Sequence, residues 1–230
     1  MKKYTTLLFD ADGTLLDFLA DEKSALSRVM ALYNIECTEE NIKAYSSINQ
    51  GLWRAFERGE IEKADIQNTR FKEFFKVMGI TEDYDFTEIN KIYLGFLSEG
   101  GRLIPGAKEL LLELKQQGYD LSIITNGISS AQRRRLKRAD IFELFTHIFV
   151  SEAVGHQKPK IEFFDYVLSQ IAEKDKSKII IIVDSLTSDI EGASNAGLNS
   201  IWLRQKGEAP CENALPTYII DDISEVKNYV

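Results

Sequence analysis

Apolar positions are spaced in two different ways along this chain. Residues 4 to 9 (YTTLLF) read as a short strand. From Asp17 to Glu99 a helical rhythm takes over, with no proline in the stretch. In ALSRVMALY, Leu26, Val29, Met30 and Tyr33 recur at three- and four-residue intervals, which places them on one helix face. LWRAF and RFKEFFKVM repeat the theme, with Leu52, Phe56, Phe71, Phe74, Phe75 and Met78 as expected core. Helical spacing assigns Trp53 to the same core.

Beyond EGG at 99–101 the rhythm changes. PGAKELLLELKQQG (105–118) opens with Pro-Gly and stops at Gly118, so it predicts a helix. YDLSIIT is a strand, SSAQRRRLKRAD a helix, HIFVS a strand and KIEFFDYVLSQIA a helix. KIIIIVD shows no alternation, as expected of a strand covered on both faces. TSDIEGASNAG predicts a helix ending at Gly197, and SIWL and YII are the last strands. Alternating strands and helices imply a parallel sheet with helices on both sides. The short first strand needs that sheet for its neighbours. The expected organisation is therefore an α/β core of residues 1–16 and 100–230, with an all-helical domain, residues 17–99, inserted after the first strand.

Composition narrows the partners. A chain of 230 residues holds one large domain or a domain with a smaller insert. The formal net charge of −8 disfavours a nucleic-acid polymer or an anionic membrane surface as main partner. No apolar run reaches the length of a membrane span, and MKKYTTLLFD carries no secretory signal, so a cytoplasmic location is expected. Cys37 and Cys211 are far apart and read as reduced thiols; His147 and His156 form no ligand cluster, which leaves a zinc site unsupported. RRRLKR at 133–138 spreads its cations around a helix while Ile128, Ala131, Leu136 and Ala139 can turn inward, so a solvated face is expected rather than a nucleic-acid patch.

The chemistry lies at the strand ends. In LLFDADGTLLDF an apolar strand stops at Asp10 and Asp12, followed by Gly13. LSIITNG ends in Thr125 and Asn126, Lys158 precedes Pro159, and IIIIVDSLTSDI ends in Asp184 with Asp189 five residues on. Ligands of open α/β sheets bind at the carboxyl ends of the strands, so these four segments converge if the strands are parallel. Clustered carboxylates raise one another's pKa and need a cation. Oxygen donors without thiolate or imidazole suit Mg²⁺ where phosphate is also bound. Lys158, the Thr125 hydroxyl and backbone N–H groups around Asp12 and Gly13 suit phosphate oxygens. A carboxylate beside Mg²⁺ can form an aspartyl-phosphate, and a carboxyl two residues away can give and take the proton. An EF-hand loop does not fit: counting from Asp10, the sixth position is Leu15 and the twelfth Asp21.

DADGT, TN, KP and DSLTSD, in this order, resemble the four motifs of the haloacid dehalogenase (HAD) superfamily. The resemblance implies a Rossmann-like HAD core with a helical cap inserted after the first motif. It implies Asp10 as nucleophile, Asp12 as acid and base, and Thr125 and Lys158 as phosphate ligands, with Asn126 and Gly13 in the same substrate-binding set. Mg²⁺ would be held by Asp10, the Asp12 carbonyl and Asp184, and Asp189 would orient water or the lysine. Val183 departs from the pattern, since glycine often precedes the fourth-motif Asp. FDADGTLLDF, ITNG…Q…R and VDSLTSDIEGA further resemble the pyrimidine 5′-nucleotidases of the YjjG/YfnB type. This implies a Mg²⁺-dependent phosphohydrolase acting on a small phosphorylated metabolite, a nucleoside 5′-monophosphate. The rivals are a phosphoglycolate-type or sugar phosphatase, a phosphomutase, or a catalytically silent phosphate-binding regulatory module. Phe18, at the cap hinge, is the candidate for stacking on a base; His156 is expected at the rim. The molecule is expected to be a monomer or homodimer.

Overall fold

The computed structural model describes residues 2–205, 207, 209 and 214–230. Cys211 lies outside the described residues, whereas Cys37 is a free, exposed thiol. Among the described residues no helix is long and apolar enough to cross a membrane. The chain forms two compact units, Met1–Phe18 with Gly101–Val230, and Leu19–Gly100. These divisions fall two residues and one residue later than the pattern of the sequence places them.

The first unit contains a six-stranded sheet: β1 (Thr6–Phe9), β2 (Asp120–Thr125), β3 (His147–Val150), β4 (Ile179–Val183), β5 (Asn199–Leu203) and β6 (Tyr218–Ile220). All neighbours are parallel, in the order β3-β2-β1-β4-β5-β6. β1 starts at Thr6 rather than residue 4 because pairing with both neighbours begins there, opposite Asp120 and Ile179. The unbroken apolar runs are explained by two cores. Leu7, Phe9, Leu121, Ile123, Ile180, Ile182 and Ile201 face one core, and Leu8, Ile124, Ile179, Ile181, Val183 and Trp202 face the other. After β1 the chain fills one side of the sheet and then crosses back to the other at β4, so a topological switch point lies between β1 and β4.

The helices in chain order are α1 (Phe18–Leu32), α2 (Glu39–Glu57), α3 (Lys63–Val77), α4 (Phe86–Ser98), α5 (Ala107–Gln116), α6 (Ser129–Arg138), α7 (Ser151–Val154), α8 (Ile161–Gln170) and α9 (Glu191–Ala196). Leu110, Leu111 and Leu114 of α5 and Leu136 of α6 cover one sheet face. Phe163, Phe164 and Val167 of α8 and Ala193 and Ala196 of α9 cover the other. α9 does not start at Thr187 as its pattern suggests. A wider turn, Leu186–Ile190, precedes it, with the Ile190 N–H donating to the Ser185 carbonyl five residues back at 3.2 Å.

The second unit is helical. Caps fix where two of its helices start: the Thr38 hydroxyl accepts from the Asn41 N–H, and the Asp85 carboxylate accepts from the Thr87 and Glu88 N–H groups. Its core is aromatic, with Tyr45, Phe71, Phe74, Phe75 and Tyr93 buried, while Leu52, Trp53 and Met78 are half-buried. Tyr45 and Phe74 meet edge to face at 5.5 Å between centroids. A polar chain also runs through this core. Asn49 donates to Glu22 (2.8 Å), and Arg70 donates to Asn49 (3.5 Å) and to Asn90 (2.8 Å); all four side chains are buried.

Candidate active site

Asp10 directly follows β1, and its N–H still donates to Ile182 in the sheet at 3.0 Å. Asp184 directly follows β4, whose Ile182 pairs with Phe9, so the two acids leave adjacent strands side by side. Between them the chain turns at Gly13, whose φ is +82°. A Cβ there would lie 2.0 Å from Asp184 Oδ2, so both conformation and space require glycine. The Thr14 hydroxyl donates to Asp184 Oδ1 at 3.1 Å, and the Trp202 indole N–H donates to the Asp184 carbonyl at 2.8 Å. Asp184 is thus anchored through both side chain and main chain.

Lys158 is 1% exposed, and its ammonium has three partners: Asp10 Oδ1 at 2.6 Å, Asp189 Oδ1 at 2.5 Å and the Ile124 carbonyl at 3.1 Å. The Asp10 and Ile124 contacts are hydrogen bonds, whereas Asp189 Oδ1 is met as an ion pair only, which leaves the ammonium a donor to offer. Asn126 holds the Lys158 main chain reciprocally: its amide donates to the Lys158 carbonyl, and its oxygen accepts the Lys158 N–H, both at 2.9 Å. Asp189 is buried in the wide turn before α9, where Ser188 donates to its Oδ2 at 2.7 Å. Thr125, at the end of β2, is buried, and its hydroxyl oxygen accepts the Gly127 N–H at 3.0 Å.

The electrostatics are lopsided. Burial raises the Asp10 carboxyl well above its ordinary range; Lys158 opposes the shift, and Asp189 and Asp184 reinforce it. Burial, together with the Asp189 charge, pushes Asp184 up to about 7. Burial also works against the Lys158 charge, but Asp10 and Asp189 outweigh it and raise the ammonium above its usual range. The acids outnumber the cation that faces them, and a hard divalent ion suits the oxygen donors left over. Among the described residues no three His, Cys, Asp or Glu side chains gather as a metal cage. Two carboxylates and a main-chain carbonyl, with the remaining positions left to water and substrate, are the kind of site Mg²⁺ takes.

Asp12 corrects one sequence expectation. The basic run 133–138 is not wholly a solvated face. Arg133, Arg134, Lys137 and Arg138 are exposed, but the Arg135 side chain is 1% exposed and donates to Asp12 Oδ1 at 2.5 Å. Gln132, also buried, donates to Asp12 Oδ2. The signal was present in the phase of the helix: 132 and 135 share the inward stripe with Ala131, Leu136 and Ala139. Phe18 is half-buried, with its ring 5.7 Å from the Arg135 guanidinium carbon. His156 is exposed, and His147 stacks on Phe149 in β3.

Comparison with known proteins agrees with this geometry. Residues 7–203 match the family model described as haloacid dehalogenase-like hydrolase. The chain is 43% identical to the HAD-hydrolase YfnB of Bacillus subtilis over 98% of its own length and 95% of that protein. A crystal structure of YfnB bound to magnesium superposes with a TM-score of 0.92, covering 99% of this chain and 98% of that one at 42% identity. The pyrimidine 5′-nucleotidase PynA of Streptococcus pneumoniae is 36% identical over 94% of this chain and 90% of its own. The pyrimidine 5′-nucleotidase YjjG of Escherichia coli is 31% identical over 98% of this chain and 97% of its own. With a parallel sheet in the order 3-2-1-4-5-6 and these acids at its switch point, the chain belongs to the haloacid dehalogenase-like hydrolases.

Proposed function

We propose that the protein is a Mg²⁺-dependent phosphohydrolase that removes phosphate from a nucleoside 5′-monophosphate, with a pyrimidine base preferred. The observation that carries this reading is Asp10 itself. A nearly buried carboxylate stands at the switch point of the sheet, ion-paired with an equally buried Lys158 and next to the anchored Asp184. Substrate class is supported by two relatives that match this chain nearly end to end and are named pyrimidine 5′-nucleotidases.

Asp10, the Asp12 carbonyl and Asp184 would hold Mg²⁺, which supplies positive charge to the acids and to the phosphoryl oxygens. Asp10 attacks phosphorus through a carboxylate oxygen, the bond from phosphorus to the ester oxygen breaks, and Asp12 gives its proton to the departing ribose oxygen. A water oxygen then attacks the phosphorus of the aspartyl-phosphate, its proton passes to Asp12, and the Asp10 carboxylate departs. Lys158 and Thr125 meet the equatorial oxygens. Asn126 fixes the loop that presents Lys158, and Asp189 fixes the direction of the ammonium. Residues 19–100 act as a cap that selects the substrate, and Phe18 stacks on the base.

The test is phosphate release from UMP, dUMP, dTMP, AMP, GMP, phosphoglycolate and sugar phosphates, with Mg²⁺ and with EDTA. Selective, EDTA-sensitive release from the pyrimidine monophosphates is expected. Preference for phosphoglycolate or a sugar phosphate overturns the substrate but keeps the chemistry, and no release from any ester overturns both.

A further inference from the structure

Asp12 has to meet the leaving oxygen in one half of the proposed reaction and water in the other, so the direction of its carboxyl matters to both. Nothing in β1 or the turn after it is seen to hold that carboxyl; helix α6 does. Arg135 Nη1 donates to Oδ1 at 2.5 Å, and Gln132 Nε2 donates to Oδ2. Gln132 is itself held. Its Oε1 accepts from Arg135 at 3.4 Å, and its Nε2 lies 3.4 Å from the Thr125 hydroxyl oxygen. The loop after β2 leaves room for it: a Cβ on Gly127 would lie 2.2 Å from Gln132 Nε2. An inward helix stripe next to Ala131 and Leu136 is normally apolar, and burying a guanidinium there costs stability unless a carboxylate meets it. The chain nevertheless places both polar side chains at that spacing, and both reach Asp12.

We propose that Gln132 and Arg135 are positioning residues for Asp12, holding its carboxyl at the angle from which it protonates the leaving group, without touching the substrate themselves. This rests on the phosphohydrolase reading. The step they serve is the first one, in which the phosphorus–oxygen ester bond breaks while a proton moves from Asp12 to the leaving oxygen. An alkyl leaving group such as the ribose 5′ oxygen needs that proton, because it departs as a strong base. A p-nitrophenolate, a weak base, does not. Loss of position should therefore be selective for the leaving group, whereas loss of a purely structural ion pair slows every ester alike.

The experiment compares kcat/KM, which reports the first phosphoryl transfer, for p-nitrophenyl phosphate and for the alkyl phosphate that the wild type turns over best. The variants are Arg135→Met, Arg135→Lys, Gln132→Met, Asp12→Asn and the double variant Asp12→Asn/Arg135→Met. Arg135→Met is expected to lose about 100-fold on the alkyl ester and less than about 10-fold on the aryl ester. Arg135→Lys should recover part of the loss, and the double variant should be no worse than Asp12→Asn alone. Equal losses on both esters, or losses that add in full to those of Asp12→Asn, overturn the proposal. If Arg135→Met does not fold, the same split in Arg135→Lys and Gln132→Met decides the matter. A wild type that hydrolyses neither ester overturns the phosphohydrolase reading first and this inference with it, which separates the two failures.

Discussion

Each unit holds a buried network of charged and polar groups, and the two networks are balanced in opposite ways. In the helical unit Glu22 and Arg70 are one acid and one base, linked through Asn49, with Asn90 taking the other side of the guanidinium. Every step of that chain joins a donor to an acceptor, and its charges cancel. In the α/β unit Asp10, Asp184 and Asp189 crowd around one ammonium, and two of these acids are pushed well up from the ordinary carboxylate range. A buried network that is balanced holds structure together and asks for nothing more. One that is left negative is unfinished without a cation or a proton, and that imbalance marks the place where chemistry is proposed.

The sharpest way to break the contrast is Asp10→Asn. Removing the nucleophile should take phosphate release below detection, while the melting temperature holds or rises because one buried charge is gone; normal turnover would sink the mechanism. In the balanced unit the effect should be on stability. Arg70→Met leaves the two asparagines unmet and Glu22 without its opposite charge, at a cost of about 3–5 kcal/mol. Thermal melting should show a fall of about 10 °C, and an unchanged melt would mean the chain carries little. Asp184→Asn sharpens the comparison from the other side. It should weaken Mg²⁺ binding in calorimetry by at least about tenfold, yet make the metal-free protein more stable, since it relieves the crowding.

The smallest effect is the dependence on pH. Asp184 titrates near 7 in the fold against 3.8 as its ordinary value, and Asp10 is shifted in the same direction. Between those limits these two groups hold more protons in the fold than in the unfolded chain, so their contribution to stability is present at low pH and is lost as pH rises through 7. Metal-free protein should therefore melt a few degrees lower at pH 8 than at pH 5.5, and Mg²⁺ should flatten that slope. A melting temperature that rises over this window without metal would contradict the raised carboxyls.

Strand ends were legible because a parallel sheet gathers them at one end by rule: once KIIIIVD and LLFD read as covered strands, Asp10 and Asp184 belonged to the same end of the sheet, and the fold adds that their strands are neighbours. Arg135 was hidden by its neighbours. Four exposed cations around it gave the run the look of a wet surface, and only the phase set by Ala131, Leu136 and Ala139 distinguishes the inward one. The wide turn before α9 was beyond reach, since periodicity does not register one extra residue in a single turn. Nor does pattern tell which polar residues of an amphipathic helix turn inward, so Asn49, Arg70 and Asn90 went unread. Their burial depends on partners in other helices.

The place of β1 in the sheet has a further consequence, for synthesis. Its two neighbours begin pairing with it at Asp120 and Ile179, so the strand carrying Asp10 leaves the ribosome long before either exists. At ordinary translation speeds the interval until the second neighbour emerges is roughly 10–30 s. Until the first neighbour emerges TLLF is an apolar ribbon with both edges open, and until the second it keeps one edge open, the kind of segment that pairs with other chains. Its brevity, four residues closed by two acids, limits how well a stranger can match it. The carboxylates proposed to do chemistry in the finished protein thus also guard the nascent one.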